Sequence, residues 1–214
     1  MLKRARMVKH GMNRDVTAKD APFEQRLARL ITNLFAPAQI SGILLVVVAL
    51  HSTRTVVAAV GWSVLTVGIA VLIPFAYVLN GVRRRHLTDI HVGQREQRSP
   101  PLLVAIGSIV VSLALLALLG APRELVALVA AMTAGLLVTL LVTLVWKISV
   151  HAAVASGAVV ILALVFGPVW LAMGVLAGLI GWARVKLADH SVTQVVAGAA
   201  LGAVVAAVVF TLIR

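Results

Sequence analysis

Long unbroken runs of apolar residues are the feature that most constrains this chain of 214 residues. The runs at 102–119 and 125–146 show neither the alternation of barrel strands nor the polar stripe of a soluble amphipathic helix. Runs of about 18 or more apolar residues are typical of membrane spans, in which each backbone amide must be paired within its own segment. The sequence therefore predicts an all-α, polytopic integral membrane bundle of about six to seven transmembrane helices.

Seven candidate spans follow from the apolar runs and from the Gly, Pro and polar residues that separate them. They cover about 35–51, 55–80, 101–119, 124–146, 150–166, 169–183 and 192–213. The sixth is short for a hydrocarbon core that needs about 20 residues, so we predict a partial span or a kinked pair with the fifth. These spans define a predicted transmembrane domain over 31–214.

Residues 1–30 are predicted to form a basic cytoplasmic tail that ends in a short interfacial helix. Arg26 and Arg29 interrupt a set of apolar residues that recurs at helical spacing. That set is Phe23, Leu27, Leu30, Ile31 and Leu34.

The formal charge of +12 has two interpretations. The basic residues could bind nucleic acid, or they could flank the membrane spans and set the orientation of the chain. If all seven runs cross, one side holds 16 of the 19 Lys and Arg residues and the other side holds 3. The basic side comprises the N-terminus, 81–100, 147–150 and 184–191. The positive-inside rule then makes this side cytoplasmic, so we predict a bacterial-type plasma membrane, lipid partners and no nucleic acid.

Three separate segments supply Arg, Lys and His to that predicted face: 81–100, 147–151 and 184–194. Arginine is the preferred fork for phosphate oxygens, and histidine can donate, accept or attack near neutral pH. The set indicates recognition of an anionic phosphate at a membrane surface, although ionisable residues at span ends can also be simple interface anchors. The absence of cysteine excludes thiolate metal sites and a cysteine nucleophile.

Part of this pattern resembles the type 2 phosphatidic acid phosphatase superfamily over about 90–205. Arg184, five residues, His190 and then Gln194 resemble its third motif, Ser-Arg, five residues, His, three residues, Asp. Ile148-Ser149-Val150-His151 resembles the second motif, Pro-Ser-Gly-His. His91, six residues and Arg98 echo the first motif, Lys, six residues, Arg-Pro, without its lysine.

The resemblance implies metal-free phosphoryl transfer without a cofactor. His190 would attack phosphorus and form a phosphohistidine. Arg184 and Arg98 would hold the equatorial oxygens, and Ser149 would donate a hydrogen bond to the phosphoryl group. His151 would protonate the leaving lipid oxygen and then activate water.

Further roles follow from the same resemblance and from neighbouring charges. Arg95, Lys147 and Lys186 are predicted to contact the phosphate. Gln194 stands where the family has an aspartate, so it would orient His190 without stabilising an imidazolium as a carboxylate does. Ser191-Val-Thr-Gln194 is also a capping-box pattern. Asp189 is an alternative orienting group.

The leading hypothesis is a lipid phosphatase acting on a lipid phosphate or a polyprenyl (di)phosphate. A second is a non-catalytic lipid-binding or membrane-organising protein on a degenerate phosphatase scaffold, and a third is a small transporter. Asp89 with Glu96 suggests magnesium as a minor alternative to a metal-free site.

Overall fold

A computed structural model describes residues 22–214, and the predicted basic tail over 1–21 lies outside this range. Nine α-helices and no β-strand make up the described chain, so the predicted all-α class is confirmed. In order they are α1 (Phe23–Leu34), α2 (Pro37–Ser52), α3 (Val56–Val67), α4 (Ile73–Arg83), α5 (Ser99–Leu118), α6 (Arg123–Val145), α7 (Val150–Phe166), α8 (Gly174–Lys186) and α9 (Val192–Ile213).

Five helical segments between residues 22 and 214 are long and apolar enough to cross a membrane. They are Val56–Arg83, Arg95–Leu118, Arg123–Val145, Pro168–Lys186 and Val192–Ile213. The first joins α3 to α4 through a π-helical turn at Gly68–Leu72. Helices α1 and α2, bent by 43°, add a sixth if they count as one span, and α7 is a shorter apolar helix. A helical membrane bundle is therefore confirmed.

The sixth apolar run is longer than its sequence suggested. A 3-10 segment at Pro168–Met173 precedes α8, and α8 continues to Lys186. The helix thus extends past the apolar run to include Arg184, because helical hydrogen bonds do not stop where hydropathy falls. This gives 19 residues, enough for a crossing by length, where the sequence indicated a short run over 169–183.

Close packing of α7 against α9 sets the centre of the bundle. A Cβ atom added at Gly198 would lie 2.5 Å from the Ser149 carbonyl oxygen, and one added at Gly202 would overlap the Ala153 backbone. Ser156 Oγ also lies 2.7 Å from the Ala199 carbonyl oxygen across this contact. Small residues let the two backbones approach, as is usual between helices in lipid.

Adding one methyl group at Gly202 is expected to destabilise the protein by about 1–3 kcal/mol, because the α7 backbone cannot yield without moving the helix. Gly202→Ala should lower the unfolding midpoint in detergent. Gly178→Ala is the matched control, since a Cβ there meets no atom within 4 Å. An equal effect of both substitutions would show that the α7–α9 contact tolerates the methyl group.

The polar connections collect at one end of the bundle, in agreement with the prediction that they share one side. Loop 84–94, residues 146–149 and residues 187–191 all lie there, joined by hydrogen bonds that involve Arg98 and Gln194. The opposite end carries His51, whose Nε2 lies 3.9 Å from a Glu124 carboxylate oxygen.

Helix α1 is the predicted amphipathic helix, and it packs against α8 at the polar end of the bundle. Ala28 and Thr32 are buried in this contact face. Glu24 of α1 forms an ion pair with Lys186 of α8. The apolar residues of the outer edge stay exposed, namely Phe23, Leu27, Leu30 and Leu34.

Candidate active site

The three polar segments predicted to share a face meet through backbone contacts. Arg98 Nη1, at the start of α5, donates to the Ile148 carbonyl oxygen at 2.9 Å. The Ser149 N–H donates to the Gln194 carbonyl oxygen at 3.2 Å. These bonds attach the connection before α7 to both α5 and α9. Candidate residues from all three segments therefore meet in one buried cluster, namely Arg98, Ser149, His151, Arg184 and His190.

His190 lies in the turn between α8 and α9 and is buried. Its Nδ1 is 3.1 Å from Gln194 Oε1, which also accepts from the Ser191 N–H at 3.2 Å. The Ser191 hydroxyl accepts in return from the Gln194 N–H, which completes a capping box. Gln194 therefore caps α9 and contacts His190 with the same oxygen.

This shared oxygen determines which nitrogen of His190 carries the proton. A backbone N–H can only donate, so the Gln194 atom facing Ser191 must be the amide oxygen. That oxygen can only accept, and Nδ1 of His190 must therefore be the protonated nitrogen. Nε2 keeps its lone pair on the side of the ring away from Gln194, as a nucleophile needs.

Arg98 is the cation that faces this lone pair. Its Nη2 is 3.4 Å from His190 Nε2. Its Nε donates to the Val92 carbonyl oxygen at 2.9 Å, so two backbone carbonyls from different segments hold the guanidinium in place. Because Arg98 is 5 % exposed, this orientation is set by the fold rather than by solvent.

Arg184 is held by Asp189, five residues further along. Arg184 Nη1 lies 3.1 Å from Asp189 Oδ2, and the arginine is 2 % exposed. Ala188 between them adopts φ +56°, and the N–H groups of Asp189 and His190 both donate to the Arg184 carbonyl oxygen. Asp189 therefore pairs with and orients Arg184, while Gln194 contacts His190. The Arg184 Nε has no hydrogen-bond partner within residues 22–214.

Ser149 and His151 begin α7 at the cluster. Ser149 is fully buried and is the N-cap residue, since its side chain accepts from the Ala152 N–H at 3.4 Å. His151 is 4 % exposed, and among the described residues its Nε2 finds no hydrogen-bond partner. A buried polar atom without a partner is uncommon and marks a position where a ligand can be bound.

The other predicted phosphate-binding residues fall at different distances from the cluster. Lys147 is half-buried beside it, and the charge of Arg98 acts on its ammonium group. Arg95 lies at the surface, with its Nη1 3.4 Å from the Leu144 carbonyl oxygen and its Nε near Glu96. Lys186 faces away, in the ion pair with Glu24.

Two further residues lie at the edge of the site: His91, which begins the echo of the first motif, and Asn33, which the sequence did not assign to the site. The His91 ring packs edge-on against the His151 ring, with 5.3 Å between centroids. Asn33 of α1 places its Oδ1 3.0 Å from His91 Nε2. No sequence signal indicated Asn33, because it lies 58 residues before its partner and outside every motif.

Burial and positive charge lower the pKa of His190, His91 and Lys147. Burial lowers the pKa of His190 to about 3, the charge of Arg98 acts in the same direction, and the hydrogen bond with Gln194 opposes both. Burial and Arg184 lower the pKa of His91, and burial and Arg98 lower that of Lys147. Near neutral pH, His190 is therefore a neutral imidazole, with its proton on Nδ1, that faces fixed guanidinium charge.

An apolar cavity of about 370 Å³ leads from this cluster into the bundle. Helices α2, α4, α5, α6, α7 and α9 contribute to its walls, mostly with aliphatic residues, including Leu44, Ile109, Leu128 and Ile161. Its polar end is lined by Arg98, His91, His151 and His190, whereas Arg184 lies outside the wall. The cavity thus combines a cationic end with an apolar interior.

Fold and site together define an all-α membrane protein with a buried Arg–His cluster at one end. No protein-family model, no curated protein and no solved structure matches the chain. Within residues 22–214, no group of three or more His, Asp or Glu residues is placed to hold a metal ion.

Proposed function

We propose that this protein is a membrane lipid phosphatase that hydrolyses a lipid phosphate or a polyprenyl (di)phosphate through a phosphohistidine. The observation that carries the proposal is the geometry at His190. Its Nε2 lone pair is fixed by Gln194 and faces the guanidinium of Arg98 at 3.4 Å, at the cationic end of an apolar cavity. This arrangement supports attack by nitrogen on a bound phosphorus.

In the first step, His190 Nε2 forms a bond to phosphorus while the bond from phosphorus to the lipid oxygen breaks. Arg98 supplies donors to the equatorial oxygens, where charge spreads in the transition state. Arg184 contributes positive charge from behind the cluster. His151, whose Nε2 has no partner in the described chain, gives its proton to the leaving lipid oxygen. The dianionic phosphate stabilises the imidazolium form that carries this proton.

In the second step, water attacks the phosphohistidine. His151, now unprotonated, takes a proton from the water as the new oxygen–phosphorus bond forms. The phosphorus–nitrogen bond breaks, and inorganic phosphate leaves with His190 restored to its neutral form. Protons and charges balance over the cycle without a metal ion or an external co-reactant.

The cavity supports a lipid rather than a soluble phosphate as substrate. Burying an apolar chain stabilises a complex by about 0.8 kcal/mol per CH₂ group, and the wall residues are almost all aliphatic. Only the polar end offers partners for a phosphate. A substrate with an apolar tail and one charged end fits this division of the surface.

The direct test is hydrolysis by purified protein in detergent or nanodiscs, with a diacyl lipid monophosphate, a polyprenyl monophosphate and a polyprenyl diphosphate offered separately. We expect release of inorganic phosphate that persists in excess chelator, and an acid-labile phosphoenzyme after rapid quenching. Binding of these lipids without any phosphate release would favour a non-catalytic lipid-binding protein.

A non-catalytic lipid-binding protein is the second candidate, and Gln194 is the observation that favours it. Its neutral amide contacts His190 where a carboxylate would stabilise the imidazolium that develops as the phosphohistidine forms and breaks down. Such a protein would bind phosphorylated lipids through the same Arg–His cluster, with no turnover.

Replacing Gln194 by glutamate separates the two candidates, because the two side chains have the same length. For a phosphatase we expect kcat to rise by about tenfold or more, since the carboxylate can accept from Nδ1 and neutralise developing positive charge. The matched control is Gln94→Glu, which makes the same change on the exposed loop and should leave kcat unchanged. Equal binding and no turnover in both variants would support the lipid-binding alternative.

A further inference from the structure

Loop 84–94 is held rigidly around His91. Asp89 accepts from the backbone N–H groups of His91 and Gly93, at 2.8 and 3.0 Å. The next residue, Val92, adopts φ +46°, and its carbonyl oxygen accepts from Arg98. A β-branched residue in this left-handed region costs about 1–2 kcal/mol, so the surrounding contacts must hold the loop in place.

The His91 side chain, in contrast, has few partners of its own. Its ring is half-buried, packs against His151 and points Nε2 at Asn33. Asn33 is thus the hydrogen-bonding partner that the described chain offers to the His91 ring. It comes from α1, a helix outside all the motifs that carry the Arg–His cluster.

We propose that Asn33 is a positioning residue: it holds the His91 imidazole at the polar end of the cavity, where the protonated ring binds the phosphate group. This inference rests on the proposed function, because it names a further contact to the same phosphate. Asn33 and His91 both line the cavity, with Arg98, His151 and His190. The amide oxygen accepts from Nε2–H in both the neutral and the charged ring, so the ring stays in place as it gains a proton.

The charges around His91 determine when it gains that proton. Arg184 from α8 opposes protonation, whereas Asp89 of the same loop and Asp189 after α8 favour it. The His151 ring faces it from α7. Because burial and Arg184 lower its pKa, His91 is neutral in the empty site near pH 7 and charges when a dianion adds negative charge. Anion binding should therefore take up a proton and tighten as the pH falls.

Sulfate is a suitable probe, because its charge stays constant between pH 5 and pH 8 and its own titration adds nothing. We expect its Kd for the purified full-length protein, measured by calorimetry in detergent, to decrease as the pH falls. His91→Gln should reduce this dependence, and the part that remains comes from protonation of His151. Asn33→Ala should weaken sulfate binding about fivefold at pH 6, because the His91 ring loses the one hydrogen bond that orients it toward the anion. The effect should be much smaller at pH 8, where the ring is neutral.

The double variant Asn33→Ala/His91→Gln gives the decisive comparison. If Asn33 acts through His91, the double variant should bind sulfate with the same Kd as His91→Gln alone. A merely structural role would weaken binding equally at every pH and would add to the effect of His91→Gln, and either result would overturn the inference. Asn80→Ala is the matched control. It removes an asparagine side chain that accepts a hydrogen bond from Arg84, at the end of loop 84–94 opposite to Gln94. Its sulfate profile should match that of the unsubstituted protein.

The sulfate-binding experiment tests the role of Asn33, and the hydrolysis experiment tests the proposed function, so the two can fail independently. A pH-dependent sulfate site that depends on Asn33, in a protein that releases no phosphate from lipids, would preserve the inference and overturn the proposed function. Hydrolysis of lipid phosphates together with sulfate binding that does not depend on Asn33 would preserve the proposed function and overturn the inference. Absence of both sulfate binding and hydrolysis would overturn both.

Discussion

Substituting His190 with alanine is expected to lower phosphate release from a lipid phosphate by about a thousandfold or more, because it removes the nitrogen that forms the covalent intermediate. The acid-labile phosphoenzyme should disappear with it. Substrate binding should persist, since Arg98 keeps its two backbone carbonyl partners without His190. The measurement is kcat and phosphoenzyme yield, with Kd determined separately.

His86→Ala is the matched control for this experiment. His86 is an exposed histidine of loop 84–94 that does not line the large cavity built by residues 22–214. Its removal should leave kcat within twofold of the starting protein. Undiminished hydrolysis by His190→Ala would refute the phosphohistidine mechanism.

Arg98→Lys is expected to reduce kcat/KM by about a hundredfold, although it keeps the positive charge. Lysine has one flexible ammonium group, whereas Arg98 uses separate nitrogens for Val92, Ile148 and the side facing His190. A lysine that satisfied the buried carbonyls would have no donor aimed at the phosphate. One that faced the phosphate would leave buried carbonyls unpaired, which destabilises the loop.

Arg95→Lys makes the same chemical change three residues earlier. Arg95 lies at the surface against Leu144 and Glu96, so its substitution should change kcat/KM by less than twofold. Comparable losses in the two variants would mean that general positive charge near the membrane matters, and that the fixed guanidinium beside His190 does not.

The fold class followed from the sequence because hydropathy alone decides it in a bilayer. Runs such as 124–146 and 192–213 become α6 and α9 within one residue of the predicted ends. The backbone in lipid has only helical pairing available, so an apolar run of sufficient length leaves few alternatives. Helix ends with polar residues were less accurate, as the extension of α8 to Lys186 shows.

The candidate site was predicted only in part from the sequence. Motif spacing indicated His190, Arg184, His151 and Arg98, and the structure brings these side chains to one end of the bundle. Arg95 was also predicted to contact the phosphate, because it stands in the same basic loop as Arg98. Only the packing of α5 against the start of α7 turns one guanidinium inward and leaves the other at the surface.

Gln194 shows the same division within a single residue. The sequence allowed it to cap α9 or to orient His190, and the structure has one oxygen do both. Asp189 was the competing orienting group. Its ion pair with Arg184 depends on the turn at Ala188, whose left-handed backbone reverses the chain after α8.

By itself, the sequence determined that this chain forms apolar helices and that its cations gather at alternate connections, since both follow from local composition. Only the tertiary structure decided which cations point inward, which nitrogen of His190 is free, and that Asn33 reaches His91. The physical reason is that hydropathy is summed along the chain, whereas hydrogen bonds in a buried cluster depend on atoms that distant helices bring within about 3 Å of one another.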